Sequence, residues 1–269
     1  MNTLTSVKQL LKRNISTELI CSAESRIHIE AVSMGLITHP VEAAGYFHPI
    51  TSIRLSNIIK KGNFDLIHTH ASKDLWLLVP ALKLNNLKIP LLLTKHVGSF
   101  IIKKDFIHKW LYNRLTYALA ISTVIQKNLL ETCPLEKEKI LLLHNGVDVN
   151  RFNPEIFDRT LIRKELEVSD DEILIGMIAR FSPGKGHEEF LYAAKELNKV
   201  YTNLKFIIVG EASRGENEYA ETIHKLANDH KLNNLRFTGF RSDAENVLAA
   251  MDIFVMPSHS EAFGIALIE

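Results

Sequence analysis

The sequence has few cysteines and no long apolar run, and both shortages narrow the class of protein. Its two cysteines, Cys21 and Cys133, are too few for a disulfide framework and form no metal-binding pattern. No stretch approaches the roughly 20 apolar residues that span a bilayer, and the first residues lack the regions of a secretory signal. We therefore expect a globular protein of a reducing compartment, the cytoplasm, whose thiols are structural.

Several nucleotide-binding motifs are also absent. No Gly-x-Gly-x-x-Gly follows a strand, which disfavours a dehydrogenase, and the spacing of a P-loop is missing. We find no Asp-x-Asp pair suited to a metal-bound nucleotide. Basic residues are dispersed and are not interleaved with aromatic residues, so nucleic acid is not an expected partner.

The net charge of +1 hides an asymmetry between the two halves of the chain. Residues 1–150 carry a net charge of +7, and residues 151–269 carry −6. A basic first half indicates an anionic partner such as a membrane surface, a lipid phosphate or an acidic glycan. It is compatible with peripheral attachment to the cytoplasmic face of a membrane, although a plain difference between two domains is the alternative.

Strand-like apolar runs alternate with amphipathic helical segments along the chain. The runs are continuous in Ile, Leu and Val, which is typical of strands buried on both faces of a parallel sheet. Turn residues interrupt the pattern around Asn145–Pro154. The sequence therefore predicts an α/β protein of two tandem Rossmann-like domains that face a cleft, residues 1–148 and residues 149–269. Ten strands are expected, near residues 17–22, 36–41, 65–70, 89–94, 117–122, 139–143, 172–179, 204–209, 234–238 and 252–256.

A cationic turn follows the first strand of the second domain. Arg180 and Lys185 flank a Pro-Gly pair before a predicted helix, and Gly184 and Gly186 let the backbone approach a ligand closely. Two cations at a helix N-terminus are unfavourable unless an anion binds there. A diphosphate would supply that anion, with Arg binding it as a fork and Lys as a point charge. A surface loop with two solvated cations is the alternative.

The last nine residues place two carboxylates eight positions apart around a short apolar stretch. A helix that begins near Gly264 would leave Glu261 in the preceding turn and carry Glu269 about 12 Å further along. Backbone N–H groups of Phe263, Gly264 and Ile265 would then form an anion cradle between the carboxylates. This arrangement suits a phosphorylated, hydroxyl-rich ligand such as a nucleotide-sugar. An exposed helix with two solvated carboxylates is the alternative.

Two further strand ends are candidates for contact with a nucleotide. Gly210 ends the second strand of this domain, and Phe240 follows Gly239 at the end of the third. Strand ends of this kind commonly face a base or a ribose in doubly wound folds. A simple tight turn is the alternative for each glycine.

Taken together, these segments resemble glycosyltransferase family 4, a family of retaining, nucleotide-sugar-dependent enzymes with the GT-B fold. The resemblance spans nearly the whole chain. The set of motifs is specific to the family, even though no single motif is. The segments that carry it are Ala179-Arg180 with Lys185-Gly186, Val209-Gly210-Glu211, Phe237-Thr238-Gly239-Phe240, Met256-Pro257-Ser258, Glu261 with Glu269, His144-Asn145-Gly146-Val147-Asp148 with Arg151-Phe152, and Asp65-Leu66-Ile67-His68-Thr69-His70.

The resemblance implies roles for the residues of the second domain. Arg180 and Lys185 would hold the donor diphosphate and stabilise charge on the leaving nucleotide. Glu261 would contact hydroxyls of the donor sugar, and Glu269 would bind the ribose hydroxyls. Backbone amides of residues 263–265 would complete the cradle.

In the first domain, the resemblance singles out histidines at strand ends. His96 matches a histidine that lies near the donor sugar and the reacting centre, whereas His68 and His70 are weaker candidates that would line the acceptor side. No metal or other cofactor is expected, because cations and a helix start would neutralise the diphosphate. The implied partners are a nucleoside-diphosphate sugar and a glycan or lipid-linked acceptor of polysaccharide or lipopolysaccharide biosynthesis.

Two departures from the family pattern lead to a further expectation. The family begins with a strand and a Gly-rich loop, whereas this sequence starts at the helical segment Val7–Arg13, and it ends at Glu269. We therefore expect a chain that is truncated at both ends and has weak or no transferase activity. The alternatives are a non-catalytic nucleotide-sugar-binding remnant and, less favoured, a sugar-nucleotide epimerase, which would need no acceptor.

Overall fold

The computed structural model describes residues 2–42, 45–213 and 215–269, and it confirms the predicted α/β class with parallel sheets. The chain divides into two compact units, Met1–His144 and Asn145–Glu269. This division falls at the Asn145-Gly146 turn, slightly before the boundary at residue 148 that the sequence suggested. We describe each unit by itself.

The first unit contains two parallel sheets in its described residues. Strands β1 and β2 form a pair, and the second sheet has the order β3-β4-β5-β6. The helices are α1 (Asn2–Leu11), α2 (Arg26–Ser33), α3 (Pro49–Gly62), α4 (Leu75–Leu84), α5 (Phe106–Tyr112) and α6 (Thr123–Thr132). The strands are β1 (Leu19–Cys21), β2 (Thr38–Pro40), β3 (Ile67–Thr69), β4 (Leu91–Lys95), β5 (Tyr117–Ala120) and β6 (Ile140–Leu142).

Local chemistry explains where the helices of the first unit lie and begin. Helix α4 is apolar around most of its circumference, and accordingly most of its side chains are buried. Asp105 caps α5, because its carboxylate accepts from the N–H groups of Ile107 and His108, both at 3.1 Å. Ser122 caps α6 through the N–H of Ile125 at 3.2 Å. The two caps therefore set the residues at which α5 and α6 begin.

The second unit has one described four-stranded parallel sheet, in the order β10-β7-β8-β9. Strands β8 and β9 therefore follow one another on one side of β7, and β10 lies on its other side. The helices are α7 (Arg159–Glu165), α8 (His187–Leu197), α9 (Asn217–Asp229) and α10 (Ala244–Ala250). The strands are β7 (Ile173–Ile178), β8 (Leu204–Val209), β9 (Leu235–Gly239) and β10 (Ile253–Phe254).

Strand β8 shows why this sheet is covered on both faces. Phe206 and Ile208 belong to the apolar cluster that contains residues of α8 and α9. Ile207 and Val209, which point to the opposite face, belong to the cluster that contains residues of α7 and α10. A strand with four consecutive buried apolar residues, here residues 206–209, is stable only in such a sandwich, as the apolar run predicted.

One cation lies within the core of the second unit. The guanidinium of Arg163 is buried and donates to the carbonyl oxygens of Ser169 and Glu172 at 2.7 and 2.6 Å. It also pairs with the carboxylate of Asp252 at 2.9 Å. Asp252 in turn accepts from the N–H of Leu174 at 2.7 Å. Arg163 therefore joins α7 to the segments that enter β7 and β10.

The α-helix expected from Gly264 onward is not formed, and this prediction is wrong. The structure has a short 3-10 turn at Ile265–Leu267, preceded by Gly264 with a left-handed φ of +74°. The N–H of Glu269 reaches the carbonyl of Ile265 at 3.1 Å, which is one hydrogen bond of the α-helical type. One such bond is less than the nucleus that an α-helix needs.

Across the described residues 2–42, 45–213 and 215–269, no helix is both long enough and apolar enough to cross a bilayer.

Candidate functional site

The carboxyl ends of β7 and β10 form the point at which the strand order of the second unit reverses. Open α/β sheets bind ligands in the crevice at such a point, because the chain leaves the two neighbouring strands in opposite directions. The loop after β7 carries Arg180 and Lys185, and the loop after β10 carries Glu261. Three of the predicted site residues therefore lie on the two loops that flank the expected ligand position.

The two loops are held together by backbone contacts. The N–H of His259 donates to the carbonyl of Gly184 at 3.0 Å. Gly186 adopts a φ of +84°, and a Cβ atom at this residue would lie 2.3 Å from the carbonyl oxygen of Pro257. The close approach that Gly186 allows in the structure is to Pro257. The glycine brings the cationic turn against the loop of Glu261.

Lys185 and Glu261 form an ion pair at the centre of this arrangement. The Nζ of Lys185 lies 2.7 Å from Oε1 of Glu261, and both side chains are about three-quarters buried. The sequence alone predicts that a bound anion balances the cations of the turn. The structure shows that Glu261 already balances Lys185. A diphosphate at this position would compete with the carboxylate for the ammonium group.

Arg180 is exposed and is oriented by polar residues that the sequence reasoning missed. Its Nη1 donates to Oγ of Ser213 at 2.9 Å. Next to it, the hydroxyl of Ser182 donates to Oε1 of Glu216 at 2.5 Å. This hydrogen bond lowers the pKa of the Glu216 carboxyl, and the positive charge of Arg180 lowers it further. The polar residues that follow β8 in the sequence could have indicated these contacts. The sequence does not show, however, which of these residues pairs with Arg180 or Ser182.

The two candidates for contact with a base, Gly210 and Phe240, lie at adjacent strand ends. The N–H of Gly210 donates to the carbonyl of Gly239 at 2.9 Å. Gly210 has a φ of +147°, and a Cβ atom there would lie 1.9 Å from the carbonyl oxygen of Ala179. The glycine is therefore required by a neighbouring backbone. The side chain of Phe240 is half exposed and presents an aromatic surface.

The final segment brings Glu269 close to a second ion pair. Arg151 binds both carboxylate oxygens of Glu245, at 2.9 and 2.7 Å. Burial raises the pKa of the Glu269 carboxyl, Arg151 opposes this effect and Glu245 adds to it. Phe263 and Ile265 are partly buried on either side of Gly264, at the start of the 3-10 turn. The segment 263–265 therefore follows the Glu261 loop directly, as predicted, without an α-helix behind it.

A buried histidine lies directly behind the cationic turn. His187 begins α8 and is fully buried, and neither ring nitrogen has a hydrogen-bond partner among the described residues. Its ring stacks on Phe181 with 4.6 Å between centroids. Burial lowers the pKa of His187 to about 4. The imidazole is therefore neutral at pH 7 and packs as an aromatic ring.

The histidines predicted in the first unit form one cluster at the ends of β3 and β4. His70 Nδ1 lies 3.0 Å from His96 Nε2, and their rings stack with centroids 5.3 Å apart. His68 Nε2 lies 2.7 Å from Oγ1 of Thr94, and its ring lies 4.4 Å from that of His70. The sequence identified the three histidines separately and did not predict that they touch.

The histidine cluster is uncharged at neutral pH. Burial lowers the pKa of His70 to about 4, and the neighbouring imidazoles His68 and His96 lower it further. Burial also lowers the pKa of His96. The Nδ1 of His96 is buried and unpartnered within the described part of the chain. These rings can donate or accept hydrogen bonds to hydroxyl groups, but they cannot supply positive charge to a phosphate.

Comparisons with known proteins agree with the resemblance seen in the sequence. A family model described as Glycosyltransferase Family 4 matches residues 3–151. A second model, described as Glycosyl transferases group 1, matches residues 158–269. The two matches divide the chain close to the boundary between the two units.

Two curated relatives are 27–28% identical to the chain over the aligned residues. The UDP-Gal:alpha-D-GlcNAc-diphosphoundecaprenol alpha-1,3-galactosyltransferase of Escherichia coli is 28% identical over 237 residues, which cover 81% of the chain and 58% of the relative. The N,N'-diacetylbacillosaminyl-diphospho-undecaprenol alpha-1,3-N-acetylgalactosaminyltransferase of Campylobacter jejuni is 27% identical over 80% of the chain and 58% of the relative. The chain thus spans a little over half the length of these relatives.

Solved structures show the same fold. A glycosyltransferase from Rickettsia africae superposes with a TM-score of 0.83 at 24% identity, covering 99% of the chain and 71% of that protein. Anabaena HepE in complex with UDP-glucose superposes with a TM-score of 0.73 at 22% identity, covering 93% and 69%.

Proposed function

The chain belongs to glycosyltransferase family 4, and from this premise we propose that it takes part in retaining transfer of a sugar from a nucleoside-diphosphate sugar to a lipid-linked or glycan acceptor of the cell envelope. The observation that carries the proposal is the placement of Arg180, Lys185 and Glu261 on the two loops that follow β7 and β10, with Lys185 and Glu261 in contact. Two cations and a carboxylate at this position match a ligand with a diphosphate at one end and sugar hydroxyls at the other.

In the proposed reaction, the bond between the anomeric carbon and the phosphate oxygen breaks, and its electron pair goes to the diphosphate. Arg180 and Lys185 stabilise that developing charge without a metal ion. The acceptor hydroxyl forms its bond to the anomeric carbon on the face that the phosphate leaves, and its proton passes to the departing phosphate oxygen. The configuration at the anomeric carbon is therefore retained.

Further residues would position the donor. Glu261 would accept hydrogen bonds from sugar hydroxyls once the diphosphate has displaced it from Lys185. Glu269 would bind the ribose hydroxyls, and the amides of residues 263–265 would add to the cradle. Phe240, half exposed beside Gly210, offers a ring on which a base can stack.

The role proposed for His96 rests on the family resemblance. As a neutral imidazole held by His70, it would exchange a hydrogen bond with a hydroxyl of the reacting sugar. Lowered pKa values in the cluster support this role, because an uncharged ring binds a hydroxyl without attracting a second phosphate.

The names of relatives support the choice of partners. The Escherichia coli relative is named for UDP-galactose as donor, and HepE has been solved with UDP-glucose. The Escherichia coli and Campylobacter jejuni relatives are both named for acceptors on diphosphoundecaprenol. We accordingly propose a nucleoside-diphosphate sugar as donor and place a polyprenol-diphosphate sugar first among the acceptors.

Calorimetric titration with UDP, GDP and ADP in metal-free buffer tests the donor site. We expect one diphosphate to bind, and Arg180→Ala/Lys185→Ala to weaken that binding on the order of 100-fold, because each charge-assisted contact contributes about 1.5–3 kcal/mol. Arg236→Ala/Lys199→Ala removes the same charges from exposed positions elsewhere in the unit and should leave affinity unchanged.

Equal affinity in the double variant and the native chain would contradict the proposed site. If a diphosphate binds, incubation with the matching nucleotide-sugar distinguishes the remaining possibilities. A transferase releases the diphosphate only when acceptor is present, an epimerase converts the free donor, and a binding protein does neither.

A further inference from the structure

The segment between β8 and α9 lies beside the cationic turn and carries polar side chains to which the proposed reaction gives no role. Ser213 and Glu216 are partly buried there, whereas Arg180, on the loop after β7, is exposed. An exposed arginine samples many rotamers, and a ligand that binds it has to restrict them. Neighbours that restrict Arg180 in advance would therefore strengthen the binding of its ligand.

Ser213 connects Arg180 to the carboxylate of Glu216. The Nη1 of Arg180 donates to Oγ of Ser213 at 2.9 Å. Ser213 in turn forms hydrogen bonds to the carboxylate of Glu216, whose Oε1 also accepts from the hydroxyl of Ser182 at 2.5 Å. The bond from Ser182, those from Ser213 and the charge of Arg180 all lower the pKa of this carboxyl, so Glu216 is ionised at neutral pH. We call Ser182, Ser213 and Glu216 the Arg180 network.

Backbone contacts already join the two loops, so the Arg180 network is not needed for that purpose. The N–H of Phe181 donates to the carbonyl of Glu211 at 3.0 Å. Within the second loop, the N–H of Glu216 donates to the carbonyl of Ser213 at 2.9 Å. The serine and the glutamate are thus fixed relative to one another by their own backbone. Their side chains add a defined position for the guanidinium of Arg180.

The two cations of the turn are held in different ways. Lys185 pairs directly with the carboxylate of Glu261, which a diphosphate has to displace. Arg180 instead contacts a neutral hydroxyl, and the carboxylate of Glu216 stands one residue further along the chain of hydrogen bonds. Ser213 occupies one of the five N–H donors of the guanidinium, so a phosphate can bind others without breaking this contact. The arrangement orients Arg180 and leaves it available to a ligand.

We propose that Ser213 and Glu216 are positioning residues that hold Arg180 ready for the diphosphate of the donor, Ser213 by direct contact and Glu216 through Ser213. The inference deepens the proposed function and rests on the role that it gives to Arg180. Without the Arg180 network, the arginine would be ordered only when the ligand binds. Ordering one long side chain at that moment weakens affinity by about two- to tenfold.

Titration calorimetry with UDP, GDP and ADP measures the effect on affinity. Ser213→Ala should weaken the binding of the preferred diphosphate by about two- to tenfold. In a chain that already carries Arg180→Ala, the same substitution should cause no further loss, because the side chain that Ser213 positions is gone. Ser213→Thr keeps the hydroxyl and should recover most of the affinity. A serine that served only the stability of the loop would show no such dependence on Arg180.

NMR measures the order of Arg180 in the chain without ligand. The Nε–Hε signal of Arg180, assigned by its loss in Arg180→Ala, reports this order through its heteronuclear NOE. We expect a high value in the native chain and a clear fall in Ser213→Ala and in Glu216→Ala. Glu221→Ala removes an exposed carboxylate of α9 outside the Arg180 network and should change neither this signal nor diphosphate affinity.

Three results would overturn the inference: an Arg180 signal whose order does not depend on Ser213 and Glu216, unchanged affinity in Ser213→Ala, or a loss of affinity in Ser213→Ala that persists in full after Arg180 is removed. The NMR measurement needs no ligand and so separates the inference from the proposed function. Failure of the native chain to bind any of the three diphosphates would contradict the proposed function. Diphosphate binding by a chain in which Arg180 is not ordered would contradict the positioning role alone.

Discussion

Replacing Glu261 by Gln should strengthen the binding of a free nucleoside diphosphate, although Glu261 lies within the proposed site. In the structure the carboxylate occupies Lys185 at 2.7 Å, and both side chains are mostly buried. A diphosphate must displace this carboxylate and then tolerate its negative charge nearby. At a separation of about 5 Å and a dielectric near that of water, that repulsion is about 1 kcal/mol, which corresponds to about fivefold in affinity.

Substitution of Lys185, the other residue of the ion pair, is expected to have the opposite effect on diphosphate affinity. Lys185→Ala removes the attractive charge and should weaken diphosphate binding about tenfold. Isothermal titration with the diphosphate that binds the native chain measures both effects. With the complete nucleotide-sugar, Glu261→Gln should show a smaller gain or a loss, because the amide replaces the carboxylate that accepts from the sugar hydroxyls.

An exposed Lys–Glu pair of the same unit supplies matched controls. Lys199 lies 2.6 Å from Glu196, and both side chains are largely exposed. Lys199→Ala and Glu196→Gln should leave diphosphate affinity unchanged. Glu261→Gln could instead weaken binding of the free diphosphate as much as Lys185→Ala does. In that case Glu261 would hold Lys185 in position for the diphosphate, and the proposed competition between Glu261 and the diphosphate would be refuted.

Two predictions concern stability. Arg163→Met should lower the free energy of unfolding of the second unit by about 2–4 kcal/mol, because it removes one of the two arginines that pair with Asp252 and the donor of two partly buried carbonyls. Arg159→Met, which removes the exposed partner of the same aspartate, should cost less than about 1 kcal/mol, and urea titration distinguishes the two. Because the pKa of His187 is lower folded than unfolded, its imidazole stabilises the fold fully above pH 6.5 and loses that contribution as the pH falls toward 4. His187→Phe should therefore remove about 2 kcal/mol of the stability loss between pH 7 and pH 5 in urea titrations, and an unchanged loss would contradict this account of the histidine.

The sequence was a good guide to the elements of the fold because the strands are buried on both faces. Apolar runs such as Leu204–Val209 coincide with observed strands. The predicted helix after Gly264 is not observed, because Gly264 adopts a left-handed φ and the residues that follow it form a 3-10 turn. Periodicity over a few residues cannot distinguish these outcomes.

The candidate site was predictable in its composition but not in its pairings. Arg180, Lys185 and Glu261 stand out as charged residues at strand ends, and strand ends meet at one edge of a parallel sheet. The 2.7 Å pair between Lys185 and Glu261 joins residues 76 positions apart in the chain. No local pattern encodes such a contact. The same holds for His70 and His96, which adjacent strands bring together across 26 positions.

The contact between Gly186 and Pro257 has a consequence for engineering and for divergence. The loop after β7 and the loop after β10 fit closely against each other, because Gly186 lies against both the carbonyl group and the ring of Pro257. A loop transplanted from another protein would have to fit the unchanged loop of this chain, although its sequence is adapted to a different neighbouring loop. Changes in donor preference are therefore easier to achieve by exchanging both loops together than by grafting either one. In related proteins whose loop after β7 differs from that of this chain, the loop after β10 should differ as well.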